Sequence, residues 1–115
     1  QDYLTAFPEL KAIFCTSDQA ALGSLAACQA AGRTDVLILG FDCNEELVEA
    51  IEAGDIAGTC TQQPMLMVAT ALQNLINYLD GKPYEELVEI STLLVTSENM
   101  AEVKDTLYKT AMALD

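Results

Sequence analysis

VLILGFDCN, residues 36–44, is a run of six apolar or small residues that ends on an aspartate. Its length and its β-branched and aromatic content are those of a buried strand. A buried, unpaired carboxylate is costly, so Asp42 is expected just past the strand end, where water, a backbone donor or a ligand can meet it. The residues that follow, NEELVEAIEAGD (44–55), predict a helix. Asn44 can cap it, Glu45 and Glu46 suit its positive end, and Gly54 stops it.

The same unit recurs along the chain. AIFC (12–15) reads as a strand, and TSDQAALGSLAACQAAG (16–32) places Leu22, Leu25, Ala26 and Cys28 at helical spacing with Gly32 as the stop. DIAGTCT (55–61) is a weaker third strand. QQPMLMVATALQNLINYLDGKP (62–83) then puts Pro64 at a helix start and Val68, Leu72, Leu75 and Leu79 along one face, ended by Gly81 and Pro83. VEISTLLV (88–95) is a fourth strand candidate. SENMAEVKDTLYKTAMAL (97–114) is a last helix, with Ser97 as its cap and Met100, Val103, Leu107, Ala111 and Leu114 as its apolar stripe. Strands alternating with helices of this length predict an α/β fold, a parallel sheet with alternating helices joined by right-handed crossovers. QDYLTAF (1–7) reads as a helix end stopped by Pro8, which with Gln1 as the first residue suggests a segment of a longer protein.

Composition narrows the function classes. The chain has 115 residues, 51% of them hydrophobic, enough for one modest core. Five basic and eighteen acidic residues give a net charge of −13, which opposes a phosphate backbone, so no nucleic-acid contacts are expected. The apolar runs fall short of the ~20 residues that cross a bilayer. Cys15, Cys28, Cys43 and Cys60 are widely spaced and there is no histidine, so neither a metal site nor a cofactor is expected and the cysteines read as free thiols.

In open parallel sheets, ligands bind outside the carboxyl ends of the strands. Three strands of this chain end in polar residues there: Ser17 and Asp18 after the first, Asp42 and Asn44 after the second, Gln62 and Gln63 after the third. An ionised aspartate accepts from two hydroxyls, and a glutamine amide both donates and accepts, so together they can hold a polyhydroxylated ligand. Asp18 and Asn44 are expected to serve as helix caps. Catalysis is not expected: there is no histidine to activate a serine or cysteine, and no phosphate loop. A phosphoryl-accepting role for Asp42 would want a second aspartate at position 44, which is Asn44.

At these residues the sequence resembles the sugar-binding proteins of ABC transporters in the ribose-binding, type I periplasmic class, which share their fold with the effector domains of LacI-type repressors. The resemblance rests on AIFCTSDQAALGSLAACQAAG, DVLILGFDCNEELVEAIEAGDIAGTCTQQP and LLVTSENM, in that order and spacing. It implies the C-terminal part of a two-lobed type I periplasmic-binding-protein fold that closes on a small sugar. Residues 1–62 would be mostly C-terminal lobe, 63–91 the hinge crossing and a helix packed on the other lobe, and 92–115 the return segment and terminal helix. Carried over by position, Asp42 matches the family's sugar-hydroxyl aspartate and Gln62 its polar hinge residue. Ser17 stands where many transport members have asparagine, a departure that bears on which sugar is bound.

The implied partners are a sugar and an ABC transporter permease, with an extracytoplasmic location. The alternative, a cytoplasmic transcription regulator's effector domain, is disfavoured by the compact connection AAGRTDVLILGFD and by AIEAGDIAGTCTQQP. Without the other lobe, the Val68, Leu72, Leu75 and Leu79 stripe lacks a partner, and the isolated segment is expected to self-associate.

Overall fold

The computed structural model describes residues 2–104. Its elements run α1 (Asp2–Ala6), β1 (Ala12–Phe14), α2 (Asp18–Ala30), β2 (Leu37–Phe41), α3 (Glu45–Glu52), β3 (Gly58–Thr61), α4 (Pro64–Leu79) and β4 (Leu93–Val95). The strands form one sheet in the order β1-β2-β3-β4. β1, β2 and β3 are mutually parallel, as the alternation of strands and helices predicts.

β4 departs from the parallel expectation and from its expected length. It runs antiparallel to β3, pairing Leu93–Val95 with Thr59–Thr61, and residues 88–92 stay outside the ladder. The reason is topological. The chain leaves β3 at its carboxyl end, and residues 84–90 come back alongside α4: the Glu85 N–H donates to Asn74 Oδ1 at 3.3 Å, Tyr84 sets its ring edge-on to Tyr78 at 5.3 Å, and Val88 and Ile90 line one groove with Met67 and Ala71. Gln63 Nε2 donates to the Ser91 carbonyl at 2.7 Å, so the outgoing and incoming segments lie side by side. A chain that re-enters the sheet from the end it left can only pair antiparallel.

Two successive right-handed crossovers taken in one direction put α2 and α3 on one face of the sheet, and α2 packs on both β2 and α3. Ile38, Thr59 and Val95 point into this layer and meet Ala21, Leu47, Ile51 and Ile56, all almost fully enclosed. Gly40 is part of the close fit, since a Cβ there would stand 2.9 Å from Leu47 Cδ2. Met100 and Val103 close one side of the core. The opposite register row, Phe14, Leu37, Leu39, Phe41, Cys60 and Leu94, faces away from α2 and α3, with Phe14 and Leu37 both about 60% exposed.

The helix ends follow from local chemistry, with two corrections. Asn44 caps α3 as expected, its Oδ1 accepting from the Leu47 N–H at 2.8 Å. α2 is capped by Ser17 instead of Asp18, with Ser17 Oγ accepting from the Ala20 N–H at 3.3 Å. At the chain's end the helical turn begins at Met100, and Asn99 in place of Ser97 makes the turning bonds, accepting from the Thr96 N–H and donating to the Leu94 carbonyl, each at 2.8 Å. Leu107, Ala111 and Leu114 of the expected stripe lie outside the described residues. Cys15 and Cys28 are buried, Cys43 and Cys60 half-buried, and all four are free thiols.

α4 differs from the other long helices. None of its residues is buried, and Val68, Leu72, Leu75, Ile76 and Leu79 are all at least half-exposed. It also carries no charged residue along Pro64–Leu79, a composition suited to a helix covered on most sides. The molecule measures 60 × 27 × 18 Å, with a radius of gyration of 18.2 Å, where a compact chain of 100 residues has about 13 Å. α4 and its returning strand of chain form an arm beside the sheet.

Candidate functional site

The carboxyl ends of β2 and β3 bring Asp42 and Gln62 into direct contact. Each is the first residue after its strand and each is solvent-exposed, as expected of the Asp42 carboxylate, although β2 itself is buried on one face only, through Ile38 and Gly40. Gln62 Nε2 donates to Asp42 Oδ1 at 2.9 Å. The Asp42 N–H in turn donates to the Cys60 carbonyl at 2.9 Å, prolonging the β2–β3 ladder by one bond and fixing where the side chain starts.

The backbone that presents Asp42 is strained. Asp42 and Cys43 have φ of +103° and +93°, and neither is glycine. Two consecutive residues in this region cost of order 1–3 kcal/mol each and persist only where their surroundings over-determine them. Besides the Cys60 carbonyl and Gln62, one buried side chain holds this turn. Asp18, in the first turn of α2 and 3% exposed, accepts from the Cys43 N–H with both carboxylate oxygens at 3.0 and 3.1 Å, and from the Asn44 N–H with Oδ2 at 2.6 Å. Bonds from a backbone N–H to an ionised carboxylate contribute about 1.5–3 kcal/mol each, enough to offset the strain.

Ser17 is half-buried, next to Asp18 in the chain and therefore close to the 42–44 turn. Its oxygen is engaged as the α2 cap, which leaves the hydroxyl hydrogen to donate. Gln63 is turned away from this edge and holds the two crossing segments together instead. Burial, reinforced by the nearby Asp18 charge, pushes the Cys43 thiol up to about 11, so it is no nucleophile at neutral pH.

The arrangement suits recognition of hydroxyls. Asp42 Oδ2 has no donor among the described residues, Gln62 keeps its carbonyl oxygen and one amide hydrogen, and Ser17 adds a donor. Acceptor, donor and mixed groups at one sheet edge match the alternating demands of a polyol. Sequence reasoning identified Asp42, Gln62 and Ser17 as candidates but missed what Asp18 does. A signal was present: Ser17 and Asp18 are both able to cap α2, and a helix needs only one.

Known proteins share both the pattern and the shape. Residues 1–83 match the model of the periplasmic binding protein domain family. A ribose import binding protein of Escherichia coli (strain K12) is 33% identical over 98 residues, which cover 85% of this chain and 33% of that protein. A D-apiose import binding protein of Paraburkholderia graminis is 32% identical over 104 residues, covering 87% of this chain and 33% of that protein. The chain thus spans about a third of the length of these relatives. Among solved structures, a Caulobacter myo-inositol binding protein with bound myo-inositol superposes with a TM-score of 0.77 at 31% identity, over 88% of this chain and 36% of that one. A periplasmic ribose ABC transporter protein from Conexibacter woesei gives 0.82 at 25% identity, over 90% and 36%.

Proposed function

The chain belongs to the periplasmic binding protein domain family, and from that premise we propose that it is part of the sugar-binding component of an ABC importer, not an enzyme. The observation that carries this reading is the Asp42–Gln62 contact at the carboxyl ends of adjacent strands, exposed and facing outward from the sheet edge. The named relatives are import binding proteins for ribose and apiose, which favours transport over a regulator's effector domain. The implied location is extracytoplasmic and the implied protein partner is the importer's permease.

In this reading residues 1–62 are mostly the C-terminal lobe, 63–91 are the hinge crossing with α4 packed on the other lobe, and 92–115 are the return. The Gln63–Ser91 bond and the exposed, uncharged α4 support that division. Ligand contacts come from Asp42, Gln62 and Ser17 on one wall of a cleft and from the other lobe on the facing wall. Only the closed form makes both sets, so sugar selects it.

The test is calorimetry on the complete two-lobed protein against D-ribose, D-allose and myo-inositol, a panel spanning pentose, hexose and cyclitol. Binding of at least one is expected. Asp42→Ala is expected to weaken it by about 1.5–3 kcal/mol for each charge-assisted bond removed. Unchanged affinity in that variant would remove Asp42 from the site.

A further inference from the structure

We propose that Asp18 is the positioning residue of this edge: its buried carboxylate clamps the positive-φ turn Asp42–Cys43 in the one conformation that aims the Asp42 carboxylate at ligand. The proposal rests on the reading of Asp42 as a ligand contact. Three observations meet at this residue.

The first is that the turn is held by no glycine. Asp42 and Cys43 sit at φ of +103° and +93°, where an ordinary side chain is disfavoured and would relax if released. The second is that Asp18 spends both carboxylate oxygens on the Cys43 and Asn44 N–H groups, 25 and 26 residues away in sequence. Capping α2 does not explain it, because Ser17 does that. The third is electrostatic. Asp18 is 3% exposed and no described cation pairs with it, yet it lies where the N-terminal ends of α2 and α3 converge, so two helix dipoles and two N–H donors, that of Cys43 shared between both oxygens, balance its charge. A carboxylate buried at this cost, and used wholly on the two amides that follow Asp42, serves the geometry of Asp42. Without it the turn relaxes toward negative φ, and Asp42 Oδ1 leaves Gln62.

Asp18→Asn is the informative change in the complete protein, because it keeps the shape and replaces one acceptor oxygen by a donor that opposes the N–H groups. Two readouts are taken at a temperature where circular dichroism finds the variant folded: affinity for D-ribose, D-allose and myo-inositol, and amide exchange at Cys43 and Asn44. Affinity is expected to fall at least tenfold. Exchange at those two amides is expected to rise at least tenfold while Ile38 and Leu39 in β2 keep their protection. Adding Cys43→Gly, which accepts positive φ freely, is expected to restore most of the lost affinity.

Faster exchange with unchanged affinity would make Asp18 merely structural and overturn the proposal, as would lost affinity that Cys43→Gly does not recover. If Asp18→Asn alone does not fold, recovery of folding in the double variant supports the clamp, and a double variant equally unfolded overturns it. A wild-type protein that binds none of the three probes overturns the functional reading alone, and the exchange comparison then decides the clamp by itself.

Discussion

Leu47 and Ile51 of α3 are fully enclosed, whereas Leu72 and Leu75 of α4, on a helix of twice the length, are more than half-exposed. The shorter helix carries Glu45, Glu46, Glu49 and Glu52 and so has a face for water; the longer has no charge at all. α3 is finished: one face is packed on the sheet and the other is solvated. α4 is built like an interior helix and meets no interior among the described residues. The two halves of the molecule therefore stand at different distances from completion, although both follow the same strand-to-helix grammar. The difference is one of cover: α2 and α3 close this chain's core, while α4 carries an uncharged apolar surface that the described residues leave largely open.

The most direct way to break this contrast is to ask whether α4 finds cover in solution. Val68, Leu72, Leu75, Ile76 and Leu79 are already partly covered, so burying what remains is worth about 1 kcal/mol for each side chain, together more than any single packing defect in the sheet layer. Part of that gain is offset by the entropy of association, but what remains favours pairing. The 115-residue chain by itself is expected to be dimeric or larger by light scattering, and Leu72→Glu with Leu75→Glu is expected to make it monomeric without loss of strand signal. A clean wild-type monomer would mean that α4 tolerates water and that the contrast with α3 is not one of incompleteness.

How much of this was legible in the sequence follows the range of each interaction. The three strand-helix units were readable because their signals are local: Asn44 caps within three residues, and Gly32 and Gly54 close α2 and α3 at positive φ. The meeting of Asp42 and Gln62 was readable because parallel strands align their carboxyl ends, so two residues 20 positions apart become neighbours by topology alone. The direction of β4 was not readable, since it depends on the end from which the chain re-enters after α4. Asp18 was misread as a cap because its partners lie 25 and 26 residues away and nothing in DCN announces a positive φ. The missing charges of α4 were plain in the sequence, but the apolar stripe alone drew the reading toward one buried face.

A second, smaller effect tests the joint between the two halves. Gly58 pairs with Leu39 on one side, while on the other a Cβ there would stand 2.6 Å from the Val95 carbonyl oxygen. Backbone cannot yield as a flexible side chain can, so Gly58→Ala is expected to push β4 away from β3 and cost about 3 kcal/mol in chemical denaturation. Amides in β4 are expected to lose protection while Ile38 keeps it. An unaffected β4 would show that the joint is looser than the register implies.

The smallest effect sharpens the comparison from the packed side, which is not perfectly finished either. Thr59 is 1% exposed, between Gly40 and Val95 in the register, and its Oγ1 has no hydrogen-bond partner among the described residues. A buried hydroxyl without a partner carries a desolvation cost of about 1–3 kcal/mol, and valine occupies nearly the same shape without that cost. Thr59→Val is therefore expected to stabilise the sheet layer by about 1 kcal/mol, read as a higher denaturation midpoint at unchanged slope. A fall in stability would mean that the hydroxyl is in fact satisfied. A rise would mean that each half of the molecule keeps a group without its partner, a polar one inside the core and a row of apolar ones outside it.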